Sequence, residues 1–244
     1  MAREQAVAAP DPEQLDPDDV RRMFDGIARS YDLLNAVLSA GSDHRWRRAA
    51  ARAAALRLGD SALDVCTGTG RLARELRKGV GATGRVTGVD FSEAMLAIAR
   101  RRVPGVEFRA GDATALDGVG DSSVDAVTVA FGLRNIPDRS AAISEAFRVL
   151  RPGGRLVILE FGQVRGRTAS RVYAWYLTRV LPRLGRALNP RSSAYSYLPA
   201  SIVHYPDAET VTEWLRDAGF ASVTLRRLTL GIVTLHVATR PARG

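Results

Sequence analysis

The chain has 244 residues, 46% hydrophobic and 25% charged, which places it with ordinary globular proteins and gives it length for one large domain with a substantial core. A single cysteine, Cys66, excludes an internal disulfide and a cysteine-based metal cluster, and three scattered histidines (His44, His204, His236) lack metal-ligand spacing, so no metal site is expected. With 35 Lys and Arg against 26 Asp and Glu the net charge is +9, spread along the chain rather than gathered in one block, which suits either a solvated basic surface or contact with an anionic membrane.

Residues 1–19 are rich in Ala, Pro, Asp and Glu and lack both a basic and an apolar region of signal-peptide type, so a disordered lead-in is expected there. No apolar run approaches the ~20 residues of a spanning helix. The expectation is a cytoplasmic protein, peripheral to the inner face of the membrane if it touches one. From 20 to 28, Val20, Met23, Phe24 and Ile27 fall on one helical face, with Asp18 or Asp19 as cap. Residues 30–46 mix Tyr31, Asn35, His44 and Trp46 at spacings that fit neither a helix face nor an alternating strand, as in a lid or binding segment. Ser42 or Asp43 then caps an Ala- and Arg-rich helix expected to run to about Leu58, before Gly59.

Leu63, Asp64, Val65 and Cys66 read as a short buried strand that meets a loop containing Gly68, Thr69 and Gly70, followed by a helix from Arg71. In this reading Cys66 is a small buried core residue and not a nucleophile. Read as Gly-x-Gly-x-x-Ala, the loop suits a dinucleotide with pyrophosphate at the helix N-terminus. Read as Asp64-x-x-x-Gly68-x-Gly70, it resembles motif I of class I S-adenosylmethionine-dependent methyltransferases, in which the loop holds the methionine part of the cofactor. A second strand, 85–90, ends in Asp90, twenty residues past Gly70, where a carboxylate can accept both hydroxyls of a ribose. Ser92 caps the next helix, 93–102. A third strand, 106–110, leads to Asp112 and Ala113, placed to read an adenine edge.

The fourth strand, 123–131, opens through Ala130 into Gly132-Leu133-Arg134-Asn135, a loop at the carboxyl end of the sheet where open α/β folds place their ligands. A helix over 140–150, a tight Arg-Pro-Gly-Gly turn and a buried fifth strand, 155–161, complete a right-handed doubly wound sheet. Residues 172–188 form a basic amphipathic pattern that suits lipid headgroups or packing on the domain. Tyr197 lies in an irregular aromatic segment suited to a pocket wall, with His204 just beyond it. A helix over 211–218 and strands 223–228 and 232–239 end the sheet in an antiparallel hairpin, where a nicotinamide dehydrogenase more often continues with parallel βα units. The fold class is thus α/β, a doubly wound and mostly parallel Rossmann-like sheet. It divides as lid helices (20–58), cofactor core (59–161), substrate- or membrane-facing insertion (162–207) and C-terminal helix and hairpin (208–244).

Four segments in order carry a closer likeness. Tyr31-Asp32-x-x-Asn35-x-x-Leu38-Ser39, followed by His44-x-Trp46, resembles the first signature of the UbiE/MenG family of quinone-ring C-methyltransferases. Arg148 to Gly154 with Leu156, Leu159, Glu160 and Phe161 resembles its second; Phe131-Gly132-Leu133-Arg134-Asn135 and Tyr197-Leu198-Pro199-x-Ser201-Ile202 match as well. The likeness covers about Val20 to Thr239 and implies a class I S-adenosylmethionine-dependent methyltransferase acting on a demethylated, prenylated quinol, with demethylmenaquinol favoured over a benzoquinol. Cofactor positions implied are Asp64, Gly68, Thr69, Gly70, Asp90, Asp112, Ala113 and Ala130. Arg134 and Asn135 are implied to be catalytic, facing the methyl group, and Tyr31, Asn35, His44, Tyr197 and His204 to grip the substrate. The family often has Ser where this chain has Ala130, and Met where it has Leu34, and the spacing to His44 is one residue longer. The partners expected are the prenylated quinol and an anionic membrane surface, with no nucleic acid and with a homodimer allowed. A methyltransferase acting on another small molecule or on RNA, and a cofactor-binding module without catalysis, are the alternatives.

Overall fold

Short apolar runs, each followed by a glycine or a capping residue and then a helical pattern, build the molecule strand by helix. The structure, a computed structural model, describes residues 17–28, 32, 35–36, 39, 41–164, 166, 171, 176, 179, 197 and 201–242. Two helices come first, α1 (Pro17–Ile27) and α2 (Asp43–Ala53). The alternating core follows as β1 (Ser61–Val65), α3 (Arg71–Val80), β2 (Arg85–Asp90), α4 (Glu93–Arg102), β3 (Glu107–Ala110), β4 (Val124–Ala130), α5 (Arg139–Val149) and β5 (Leu150–Phe161). It ends with α6 (Ala208–Asp217), β6 (Ser222–Leu228) and β7 (Val233–Thr239).

Seven strands form one sheet in the order β3-β2-β1-β4-β5-β7-β6. The first five strands are parallel, and β7 runs antiparallel between β5 and β6, so the expected closing hairpin is present. The order reverses between β1 and β4, which opens a crevice at their carboxyl ends. Period-two alternation sends side chains to two apolar layers. Val157 and Leu159 join Trp46, Ala50, Leu72, Leu76 and Leu96 under α2, α3 and α4, whereas Leu156 and Ile158 join Leu63, Val127, Ile143 and Leu215 under α5 and α6.

Local chemistry sets the element ends. Ser92 Oγ accepts from the Met95 N–H, Asp138 from Ala141 and Asp207 from Thr210, each a side-chain cap. Two boundaries depart from expectation. The helix expected to reach Leu58 stops at Ala53, where the chain turns through Ala55 at φ 51°, and no Ser42 side-chain cap forms. The Arg-Pro-Gly-Gly turn is absorbed into β5 as an irregularity, because the pairing with β4 shifts register between Val124 and Ala126. The stretch 1–16 and most of 165–200, which hold the expected lead-in and the basic amphipathic pattern, lie outside the described residues.

Candidate functional site

The carboxyl ends of β1, β2 and β4 surround a cleft of about 510 Å³, within the range of small-molecule sites. Beyond Val65 the chain turns sharply, with Cys66 at φ 54° and Gly70 at φ 77°. Gly70 allows close packing as well as the turn, since a Cβ there lies 3.0 Å from the Phe108 ring. Cys66 is not inside the strand as expected. It is half-buried beyond β1 and lines the cleft, because β1 ends one residue earlier.

Asp90 ends β2 and points its carboxylate into this loop. The Gly68 N–H donates to its Oδ2 at 2.7 Å and the Ser92 N–H to its Oδ1 at 3.0 Å. Burial raises its pKa from 3.8 to about 6; the two backbone donors pull it down, while Asp64 and Asp25 push it further up. Gly68, Asp112, Ala113, Ala130 and Asn135 line the same cleft. Asp112 Oδ1 accepts the Thr114 N–H and hydroxyl, each at 2.8 Å, which fixes its side chain.

Three other residues assigned to the cofactor do not line the cleft. Asp64 is buried beneath the loop, its oxygens accepting from the Thr67 and Thr128 hydroxyls at 2.6 Å each, so it ties loop to sheet. Burial raises its pKa in spite of those bonds. Thr69 turns its hydroxyl outward to Asp32, at 2.8 Å, and Gly70 packs on Phe108.

Arg134 is likewise not where the sequence reading put it. Its side chain is buried and faces away from the cleft wall. Nη1 donates to the Phe131 carbonyl at 2.6 Å and to Glu160 Oε1 at 2.8 Å, and the guanidinium stacks 5.2 Å from the Phe161 ring. Strand order explains this, since β4 lies beside β5 and the loop after β4 therefore meets Glu160 near the end of β5. Asn135 stays on the wall, and the Tyr197 hydroxyl donates to its Oδ1 at 2.9 Å. Burial raises the Tyr197 pKa, which keeps that hydroxyl protonated.

The expected substrate residues divide. Tyr31 lies outside the described residues. Asn35 is buried, and its Nδ2 meets no acceptor among the described residues. His44, on α2, and His204 are both exposed and apart from the cleft lining, contrary to the expected grip on a ring. The sequence reading named residues 20–58 as lid helices but assigned no α1 residue to the site. Asp18, Val20, Arg21 and Phe24 of α1 line the cleft, and Phe24 packs edge-on against Phe91 at 6.0 Å and against Tyr197 at 6.5 Å. The signal was the amphipathic face of α1, visible in the sequence without showing which of its side chains would reach the cleft.

Charge separates the two cofactor readings of the glycine loop. Among the described residues, Asp18, Asp90, Asp112 and Asp138 line the cleft against one guanidinium, Arg21. That field repels a pyrophosphate and attracts a cation. The sequence profile of the ubiE/COQ5 methyltransferase family matches residues 13–240. The chain belongs to the ubiE/COQ5 methyltransferase family.

Among relatives within the ubiE/COQ5 family, the demethylmenaquinone methyltransferase of Mycolicibacterium paratuberculosis is 48% identical over 228 residues, covering 93% of this chain and 96% of its own. That of Clavibacter sepedonicus is 44% identical, covering 93% and 92%, and that of Mycobacterium tuberculosis 45%, covering 93% and 95%. Solved structures share the fold at lower identity. A chain of the Haloferax volcanii complex between the Trm112 methyltransferase activator and a methyltransferase has TM-score 0.63 at 21% identity, covering 92% of this chain and 99% of its own. A methyltransferase from Thermotoga maritima has TM-score 0.63 at 21%, covering 90% and 99%. The cofactor of this ubiE/COQ5 member is S-adenosylmethionine, and the donor set fits it: a carboxylate for a ribose, a second for an adenine amine, and an acidic lining around a sulfonium.

Proposed function

We propose that this chain methylates a ring carbon of demethylmenaquinol to give menaquinol. What carries the reading is an acidic cleft with one carboxylate at the glycine loop, in a chain 44–48% identical over its length to demethylmenaquinone methyltransferases. When bound, S-adenosylmethionine supplies a methyl group already activated on sulfur. Bound there, it would supply that methyl to the ring carbon, leaving S-adenosylhomocysteine and a ring proton for water to take.

The protein's task is alignment and raising electron density at the ring carbon. Asp90 would accept the ribose hydroxyls, Asp112 and the Ala113 backbone would hold the adenine, and Ala130 with Phe131 would give the cleft an apolar wall. Asn135, its oxygen held by Tyr197 and its amide nitrogen 3.5 Å from the Phe131 carbonyl, would offer its remaining amide hydrogen to the quinol hydroxyl and stabilise the phenolate that enriches the ring. Arg134 acts through the fold, as the anchor of the Phe131–Asn135 turn. The prenylated substrate brings the enzyme to the inner face of the membrane from the cytoplasm. No helix among the described residues is long and apolar enough to cross a bilayer.

The test is turnover with labelled S-adenosylmethionine and a short-tailed demethylmenaquinol. Tyr197→Phe releases Asn135 and is expected to lower kcat about 10- to 100-fold, with S-adenosylmethionine affinity unchanged. Wild-type protein that binds the donor and leaves this quinol unmethylated overturns the assignment.

A further inference from the structure

At the carboxyl end of the sheet the turn between β6 and β7 holds a leucine out into water. Thr229 sits at φ 48° and Leu230 at φ 58°, both in the left-handed region that glycine or asparagine occupies more cheaply, and Leu230 keeps 76% of its surface exposed. The turn is pinned, since Trp46 Nε1 donates to Thr229 Oγ1 at 2.9 Å. Trp46 belongs to the first turn of α2. From that turn Arg45, Arg48 and Arg52 follow at spacings of three and four, which puts them on one face of the helix. All three are exposed, and none meets a carboxylate among the described residues. Glu209, the acid beside β6, is taken up by Arg227.

Direction places this edge beside the cleft. Phe161, where β5 ends, pairs with Val233, where β7 begins, so the β6–β7 turn stands at the same end of the sheet as the carboxyl ends of β1, β2 and β4. An outward leucine beside an unneutralised arginine stripe matches the chemistry of an anionic bilayer, with an apolar boundary beneath a layer of phosphates.

We propose that the Leu230 tip and the Arg45, Arg48 and Arg52 face form the surface by which the protein docks on anionic lipid, the leucine entering the acyl boundary and the guanidiniums gripping headgroup phosphates. The proposal rests on the reading of the substrate as a membrane-borne prenylated quinol, and it assigns the contact to α2 and the β6–β7 turn.

Sedimentation with vesicles of equal parts phosphatidylglycerol and phosphatidylcholine, against phosphatidylcholine alone, tests it on the full chain. Wild type is expected to partition to the anionic vesicles and to release in high salt. Leu230→Ser lowers partitioning about tenfold, and the triple variant Arg45→Gln, Arg48→Gln, Arg52→Gln about a hundredfold, at roughly fivefold per arginine. Both variants keep wild-type S-adenosylmethionine affinity and wild-type turnover of the short-tailed quinol in solution. Vesicle binding that survives either set of substitutions, or no vesicle binding by wild type, overturns the docking surface. Failure of wild type to methylate the soluble quinol overturns the functional reading, whatever the vesicles show.

Discussion

Asp90 meets two requirements that oppose each other. Its native pKa, about 6, lies above the ordinary 3.8, so the folded chain holds this proton more tightly than the unfolded chain. The stability it contributes is present in full below about pH 4 and is lost as pH rises through 6, about 3 kcal/mol in all. Ribose hydroxyls require the carboxylate, so affinity for S-adenosylmethionine runs the other way. Calorimetry between pH 5 and 8 is expected to show near-constant affinity above 6.5 and a loss of about fivefold from pH 6 to 5. Asp90→Asn is expected to bind with an affinity that does not change with pH, about a hundredfold weaker than wild type above pH 6.5 and with the gap narrowing below 6, while melting no lower than wild type; a variant that binds normally removes Asp90 from the cofactor site. Arg134 belongs to the fold in a different way. Arg134→Ala removes the counter-ion of Glu160 in the core and leaves it only backbone donors among the described residues, a loss of about 3–5 kcal/mol, whereas Arg134→Met with Glu160→Gln recovers most of that stability in urea unfolding. If activity recovers with stability, Arg134 is a positioning residue; activity that stays lost in the stable double variant gives its charge a direct part.

Between elements, the N-terminal segment is fastened to the glycine loop and to the two helices that follow it. Thr69, one residue before the N-cap of α3, donates to Asp32; Arg71, the first residue of α3, pairs with Asp43 at 2.6 Å; and the Ser92 hydroxyl donates to Asp25 of α1. Thr69→Val keeps the side-chain shape and removes one tie of about 1 kcal/mol. Stopped-flow release of S-adenosylmethionine is expected to quicken about fivefold in that variant, with fold stability nearly unchanged, and an unaltered rate shows that the Asp32 tie has no part in holding the donor. None of these ties was readable along the chain, because each joins positions set together only by the finished sheet. The elements were readable where a change of period coincides with a breaker, as at Asp90, where alternation gives way to the Ser92 cap. Where no breaker stands, as between Ala53 and Gly59, the helix end was misplaced. Asp64 drew notice as an acid beside glycines, yet its partners are the hydroxyls of Thr67 and Thr128, and Thr128 lies on a strand 64 positions away. Arg134 was misread for the same reason, since its counter-ion arrives on the neighbouring strand.

Across the molecule, the cleft, the α1 roof, the Asn135–Tyr197 pair and the Leu230 turn gather at the carboxyl end of the sheet. The amino end, where Arg240 donates to Ser122 and to the Arg148 and Leu150 carbonyls, closes the strands with hydrogen bonds. This polarity lets the two apolar layers remain continuous while one rim changes to suit its partners. It also brings a sulfur atom close to an alkylating agent. Cys66 sits on the wall of the cleft, yet burial, followed by the carboxylates of Asp90, Asp64, Glu160 and Asp112, pushes its pKa well above the ordinary thiol value. Only the thiolate attacks carbon electrophiles at useful rates. The same negative field that draws in a cationic reagent therefore keeps the enzyme's lone thiol from being consumed by it, so the catalyst withstands repeated exposure to its own donor.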